Sequence, residues 1–166
     1  FRQSTMAHGG KSDILLSSTD RGSVARASSV LQRNAKMYGP MNALNNNSSS
    51  CWNSEGTNGA EMDQQWIQVE FKGHVCPKRI GLQFQPGFSA ETGSIALLNK
   101  TQNGEWETVA SDDMECEDVH QLQLLDLPSS VASQNCLAVR LSWEEDFADL
   151  YGRIIIYQLQ IWGSEA

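Results

Sequence analysis

Short runs in which polar and apolar residues alternate recur along this chain, and they constrain its fold more than any other feature. In QWIQVEF, the side chains of Ile67, Val69 and Phe71 fall on one face and those of Gln68 and Glu70 on the other. A period of two is typical of a β-strand with one buried face. Since no helical repeat of useful length accompanies these runs, the sequence predicts an all-β domain.

The pattern recurs often enough to predict a β-sandwich or barrel. The later runs are RIGLQF, SIALL, EWETVA, HQLQLLDL, CLAVRLSW and GRIIIYQLQIWG. We predict a turn over Gly73 to Pro77. The Asn103-Gly104 pair favours a hairpin between the SIALL and EWETVA runs. About seven short strands with turn signals between them are typical of packed sheets or a closed barrel.

The last run also indicates how the final strand packs. The side chains of Ile155, Tyr157, Leu159 and Ile161 share one parity of GRIIIYQLQIWG. Residues of one parity point to one face of a strand. We therefore predict that all four face the core.

Length and composition favour a single domain. With 166 residues, of which 40% are hydrophobic, the chain is long enough to fill one core and short for two. Residues 1–23 are rich in Ser, Gly, Thr and charged residues, which predicts a flexible or partner-ordered N-terminal arm. The β-sandwich domain is then expected to span residues 24–166.

The charge of the chain disfavours two classes of partner. A formal net charge of -8 repels the phosphates of nucleic acids and anionic membrane surfaces. No stretch approaches the roughly 20 apolar residues that cross a bilayer, and no charged-then-apolar leader opens the chain. We therefore expect no nucleic-acid binding and no membrane insertion. We also expect an intracellular localisation, cytoplasmic or nuclear, with an organellar localisation after removal of a presequence as the alternative.

The spacing of the cysteines and histidines predicts no metal site. The four cysteines are scattered without a CxxC pair, and no histidine lies near them at zinc-ligand spacing. An even number of cysteines allows two disulfides, but buried thiols explain the pattern as well, and we favour reduced thiols. The acidic cluster from Asp112 to Asp118 lacks the spacing of a calcium loop and is interpreted as a solvated loop.

The sequence also argues against catalysis. It contains no nucleophile elbow, phosphate loop, dinucleotide fingerprint or HExxH motif. His74 and His120 have no Ser or Cys beside them in a recognisable catalytic arrangement. We therefore predict that the chain is not an enzyme.

Five landmarks in order carry a resemblance to a known family. They are Trp52 in CWNS, Trp66 in QWIQVEF, Trp106 in NGEW, Arg140 in AVRL and Gly163 in QIWG. The chain thereby resembles the discoidin, or coagulation factor V/VIII type C, domain of the galactose-binding-like group. The resemblance implies an eight-stranded antiparallel jelly-roll β-sandwich whose loops at one end bind the ligand.

A finer resemblance points to a small intracellular, nuclear receptor-associated branch of this family. It is carried by ASSVLQRN, CWNSEG, LQFQPGFS and DFADLYGRIIIYQLQIWG. The resemblance implies a non-enzymatic protein-interaction module, acting as a regulator or as an accessory subunit of a large assembly. A carbohydrate-binding module is the alternative. Phospholipid binding is disfavoured, because the loops are acidic or neutral rather than basic.

The resemblance also transfers loop residues to this chain as the candidate binding surface, and the chemistry of Asn53 and Arg153 adds these two as ligand-facing candidates. The candidates are Asn45, Asn47, Asn53, Gln85, Phe88, Ser89, Asp146, Phe147, Tyr151 and Arg153. Many relatives bind a structural calcium ion through an Asp in the first of these loops. Asn45 stands in its place and lacks the carboxylate, so calcium is disfavoured and no other cofactor is expected.

Several of these residues have two interpretations. Phe88 can insert into a partner or fold back as a loop anchor. Phe147, Leu150 and Tyr151 can form a binding hot spot, but we favour a plug at the mouth of the sandwich. Arg153 can face a ligand, but we favour an ion pair with Asp146, Glu144 or Glu145.

Overall fold

The structure is a computed structural model that describes residues 12–45, 47–57, 64–99 and 104–166. Within these ranges, no helix is long and apolar enough to span a membrane. Two short helices are present, α1 (Ala35–Tyr38) and α2 (Ser129–Ala132), together with 3₁₀ turns at Thr19–Arg21, Leu31–Arg33 and Pro40–Ala43. The strands are β1 (Ile14–Leu15), β2 (Val24–Ala27), β3 (Trp52–Asn53), β4 (Gln65–Phe84), β5 (Thr92–Leu98), β6 (Trp106–Glu115), β7 (Gln123–Asp126), β8 (Cys136–Trp143) and β9 (Ile155–Glu165).

The strand pairing is antiparallel and confirms the predicted all-β class. The main path of hydrogen-bonded strands runs β1-β9-β4-β8-β5-β6. In addition, β2 and β7 pair with β4, and β3 pairs with β9. The predicted hairpin is present as β5 and β6, which pair from Leu98 and Trp106 onward. Asn103 of its predicted turn lies outside the described residues.

Strand β4 differs most from the prediction. It runs unbroken through Gly73 to Pro77, so the turn predicted there is wrong. Its first half pairs with β2 and β8, and its second half pairs with β7 and β9. Val75 lies at the crossing, opposite both Cys136 of β8 and Glu165 of β9. Register shifts on either side of this stretch allow the strand to continue, because such irregularities tolerate glycine and proline.

One hydrophobic core lies between the two halves of the sheet system. The rings of Phe84 and Trp143 meet edge-on in it, with their centroids 6.0 Å apart. Alternate residues of the predicted runs point inward, as a half-buried strand requires. The largest fully buried side chains are Leu16, Trp52, Ile67, Ile80, Leu82, Phe84, Ile95, Leu97, Met114, Leu125, Leu141 and Trp143.

Strand β9 shows a local change of parity. Leu159 and Ile161 are buried as predicted, whereas Tyr157 is only half-buried. The pairing of β9 with β4 shifts between Gln83 and Phe84, so that Ile156 also points into the core. A shift of one residue turns a side chain to the other face of a sheet, which the sequence pattern alone does not reveal.

Residues 12–23 pack against the last strand. Strand β1 pairs with Gly163 and Trp162, and the side chain of Leu16 is buried. The backbone N–H of Ile161 donates to Ser17 Oγ at 3.0 Å. The division at residue 24 between an arm and the domain stays a prediction.

The four cysteines are free thiols in this structure. Burial raises the pKa of Cys116 to about 12, and burial, with a further contribution from Cys76, raises the pKa of Cys136 to about 12. Because the thiolate is the reactive form, we expect Cys116 and Cys136 of the folded protein to resist a thiol reagent at pH 8.

The measurement is a thiol titration before and after unfolding in urea, without reductant. We expect four reactive thiols in urea and at most two in the folded protein. Fewer than four thiols in urea would show that a disulfide forms, contrary to the reduced thiols that we predict. Rapid labelling of Cys116 in the folded state would contradict its burial.

Candidate binding site at the loop end of the sandwich

Three loops meet at one end of the sandwich, and we call this surface the loop end. It comprises residues 53–57, 85–91 and 144–153. Backbone bonds fix the loops to one another: the Ala148 N–H donates to the Ser89 carbonyl at 2.9 Å, and the Glu91 N–H donates to the Asp146 carbonyl at 3.1 Å. These bonds give the loop end a defined shape, because they hold residues 85–91 and 144–153 together.

Arg153 lies at the centre of the loop end. Its guanidinium carbon is 5.1 Å from the centroid of the Phe88 ring, which is a cation–π distance. Its Nη2 donates to Asn53 Oδ1 at 3.0 Å. Its Nε is buried and has no hydrogen-bond partner among the residues that the structure describes. None of the ion pairs between those residues includes Arg153, so the pair that we favoured with Asp146, Glu144 or Glu145 is absent.

Leu150 and Tyr151, which we call the tip, project from the loop end. Their exposed fractions are 86% and 54%, and no described large hydrophobic residue is more exposed than Leu150. Asp149 holds the tip in place, since its Oδ2 accepts from the backbone N–H groups of Tyr151 at 3.2 Å and Arg153 at 3.1 Å. A short carboxylate that bonds the next backbone N–H groups forms an Asx-type turn. The tip is therefore exposed and apolar, and its backbone is fixed.

The side chain of Gln65 connects the end of the tip loop with the segment that contains Ser28 and Ser29. Its side chain is fully buried, and its Nε2 donates to the carbonyl oxygens of Gly152 at 3.1 Å and of Glu55. Its Oε1 accepts from the hydroxyls of Ser28 at 2.7 Å and Ser29 at 3.3 Å. One buried amide thus connects three separate segments of the chain.

Three other predicted residues support the loops. Ser89 is buried, and its Oγ donates to Asp118 Oδ1 at 2.7 Å. Gln85 accepts from the Tyr157 hydroxyl at 2.9 Å through its Oε1. Phe147 packs on the core and pairs with Ala90 in an isolated β-bridge. Phe147 therefore fits the plug that we favoured, whereas Leu150 and Tyr151 do not.

The structure does not connect Asn45 and Asn47 with this cluster. The Asn47 Oδ1 accepts from the N–H of Ser49 at 3.0 Å and from its Oγ at 2.7 Å. The Asn45 carbonyl accepts from the Asn47 N–H at 2.6 Å. Both residues are exposed, and their described bonds stay within their own loop.

The donor groups of these loops do not fit a calcium ion. Asn45 offers no carboxylate, and its carbonyl already accepts a hydrogen bond. Across the described residues, no three His, Cys, Asp or Glu side chains come close enough together to hold a metal ion. Ca²⁺ prefers six to eight oxygen ligands, several of them charged.

Sequence reasoning missed three residues that shape the site: Gln65, Asp118 and Asp149. Asp118 accepts from the Gly87 N–H at 2.9 Å as well as from Ser89, so a residue of the predicted solvated cluster fixes the Phe88 loop. The order Asp-Leu-Tyr-Gly is a turn signal that points to Asp149. No local signal identifies Gln65 or Asp118, because their partners are distant in sequence.

Comparison with known proteins agrees with the observed fold. Residues 24–144 match the F5/8 type C domain family. The Nuclear receptor 2C2-associated protein of Xenopus laevis is 33% identical over 150 residues, which cover 90% of this chain and 100% of the relative. The protein of that name from Homo sapiens is 29% identical over 142 residues, which cover 86% of this chain and 92% of the relative.

Solved structures with the same fold include carbohydrate-binding modules. The F5/8 type C domain of a Bacteroides fragilis protein has a TM-score of 0.72 at 13% identity, covering 93% of this chain and 97% of that domain. The family 32 CBM of Clostridium perfringens NanJ, in complex with galactose, has a TM-score of 0.65 at 17% identity, covering 91% of this chain and 98% of the other. These likenesses confirm the galactose-binding-like jelly roll. By sequence and by fold, the chain belongs to the F5/8 type C, or discoidin, domain family.

Proposed function

We propose that this chain is a non-enzymatic interaction module that binds a protein partner through the tip. The observation that carries the proposal is the exposure of Leu150 and Tyr151, at 86% and 54%, on a loop whose backbone is fixed by Asp149. An exposed aromatic on a rigid support binds with little loss of conformational freedom. Tyrosine is also enriched among the residues that dominate protein interfaces.

The partner that we propose is a nuclear receptor. Support comes from relatives named Nuclear receptor 2C2-associated protein, which match almost the full length of this chain. The chain would then work in the cytoplasm or nucleus, either alone or as an accessory subunit of a larger assembly. The acidic character of the chain, with a net charge of -8, favours a basic surface on the receptor.

The test is direct binding of this chain to purified nuclear receptor 2C2, measured by calorimetry. We expect saturable binding by the wild type. We expect the double variant Leu150→Glu, Tyr151→Glu to bind at least tenfold more weakly, because truncating an aromatic anchor typically costs about 2 kcal/mol and the new charges add desolvation.

Met37→Glu is the matched control. Met37 is also an exposed hydrophobic residue, but it lies on α1 rather than on the tip. Its substitution is expected to leave the affinity unchanged. No binding by the wild type would refute the receptor as partner, and equal binding by the tip variant would refute the tip as the surface.

Carbohydrate binding is the second candidate, and Arg153 is the observation that favours it. Sugar sites combine an aromatic surface with convergent polar groups, and here Phe88, Asn53 and Arg153 lie together. The planar guanidinium of Arg153 carries several donors that suit sugar hydroxyls, and its Nε has no partner among the described residues.

A glycan array separates the two candidates. If the chain binds a glycan, Arg153→Lys should abolish that binding, because lysine lacks the planar set of donors, and the tip variant should retain it. An array with no hits would exclude the carbohydrate candidate and leave the receptor proposal intact.

A further inference from the structure

A cavity that is open to solvent lies far from the loop end, where β4 crosses from β8 to β9. Its volume is about 340 Å³, and its apolar lining comes from Leu16, Phe71 and Val75. That volume falls within the range of small-molecule sites, about 300–1,000 Å³. Since Val75 and Phe84 lie nine residues apart on one strand, this cavity is roughly 30 Å from the loop end.

The polar lining of this cavity carries both signs of charge. Arg21, Lys72 and His74 line it, together with Glu165 and the last residue of the sequence, Ala166. Glu165 pairs with Arg21, whereas the ammonium group of Lys72 and the ring of His74 make no ion pair with a described residue. Lys72 therefore offers a positive charge to an incoming anion, on a chain whose net charge is -8.

The position of Lys72 depends on a glycine. Gly22 has a φ of +80°, and a Cβ added there would lie 2.4 Å from Lys72 Cε and 2.7 Å from its Cδ. The methylene chain of Lys72 therefore occupies the space that a side chain at position 22 would need. Lys72 is exposed, it lines the cavity, and its ammonium group forms no ion pair with a described residue.

Glu165 is the acidic residue that lines this cavity, and it forms an ion pair with Arg21. Its side chain is 67% exposed, so it can leave Arg21 at small cost. An incoming anion would replace this carboxylate on Arg21 and gain Lys72 as a second contact.

We propose that this cavity binds a small anion carried on an apolar body, such as an aromatic carboxylate or an aryl phosphate. The basic side chains hold the anionic group, and Leu16, Phe71 and Val75 contact the apolar body. The proposal is independent of the receptor and carbohydrate candidates, because it uses none of the loop-end residues.

The test is an NMR titration with benzoate and phenyl phosphate, with benzamide as the neutral probe. We expect saturable shifts of the amide signals of residues 71–75 with both anions and none with benzamide. The tighter of the two anions identifies the preferred headgroup. Equal binding of benzamide, or no saturable shift with either anion, would overturn the proposal.

Three variants test the assigned contacts. Lys72→Met should weaken binding at least fivefold, and Glu165→Gln should strengthen it severalfold, because the competing carboxylate is removed. The control is Lys78→Met, since Lys78 pairs with Asp13 and does not line the cavity. Equal weakening by Lys78→Met and Lys72→Met would mean that only overall charge matters, which would refute the site. Urea unfolding of each variant shows that it is folded.

Discussion

Replacing Arg140 by alanine is expected to lower the free energy of unfolding by about 2–4 kcal/mol. The guanidinium carbon of Arg140 lies 4.2 Å from the Trp66 ring centroid and 4.3 Å from that of Trp106. Its Nε and Nη2 donate to Gln68 Oε1 at 2.9 and 2.6 Å. Each cation–π contact contributes about 0.5–2 kcal/mol, and alanine would also leave two indole faces open to water.

Partial desolvation strengthens this arrangement. Burial lowers the pKa of Arg140, but an arginine stays charged at every physiological pH. The charge therefore remains between the two rings, where fewer water molecules compete for it. The stack thus joins β4 and β8, which also share backbone bonds, to β6, which pairs with β5 instead.

The measurement is urea unfolding followed by circular dichroism, with Arg26→Ala as the matched control. Arg26 has a side chain that is 65% exposed and pairs with Glu70 at 2.7 Å. An exposed pair of this kind contributes at most about 1 kcal/mol. Arg140→Lys should fall between the two, since lysine keeps the charge and loses the planar stacking. A loss for Arg140→Ala no larger than that for Arg26→Ala would show that the stack does not stabilise the fold.

The sequence allowed the strands to be predicted well, because period-two patterning records burial on one face. CLAVRLSW coincides with β8, and the SIALL and EWETVA runs form the paired strands β5 and β6. The turn over Gly73 to Pro77 was predicted wrongly, since glycine and proline are usual turn residues. They occur here inside a strand because β4 changes partners at Val75. Such a change depends on distant strands and leaves no local pattern.

The candidate site was less predictable than the fold. Phe88 and Arg153 are far apart in sequence, and only the fold brings the ring and the guanidinium to 5.1 Å. The ion pair that we favoured for Arg153 is absent, and the guanidinium instead stacks on Phe88 and donates to Asn53. Local charge density predicted an ion pair, but the fold places an aromatic ring and an amide oxygen beside the guanidinium.

Replacing Gln65 by leucine is expected to lower the free energy of unfolding by about 3 kcal/mol, because each buried polar group left without a partner costs about 1–3 kcal/mol. Leucine has a similar size but removes the acceptor of the Ser28 hydroxyl and the donor to the Gly152 carbonyl. Gln64→Leu is the matched control. Gln64 is the preceding residue, and its side chain makes no hydrogen bond with another described residue, so we expect a change within about 0.5 kcal/mol. Urea unfolding measures both.

The same substitution tests whether the fixed backbone of the tip matters for binding. Gln65 does not belong to the tip, but it bonds the Gly152 carbonyl directly after it. If a rigid tip reduces the entropy lost on binding, Gln65→Leu should speed hydrogen exchange at Tyr151 and Arg153 and weaken receptor binding severalfold. Gln64→Leu should change neither. Faster exchange at Tyr151 with unchanged affinity would show that the rigidity of the tip backbone does not contribute to binding.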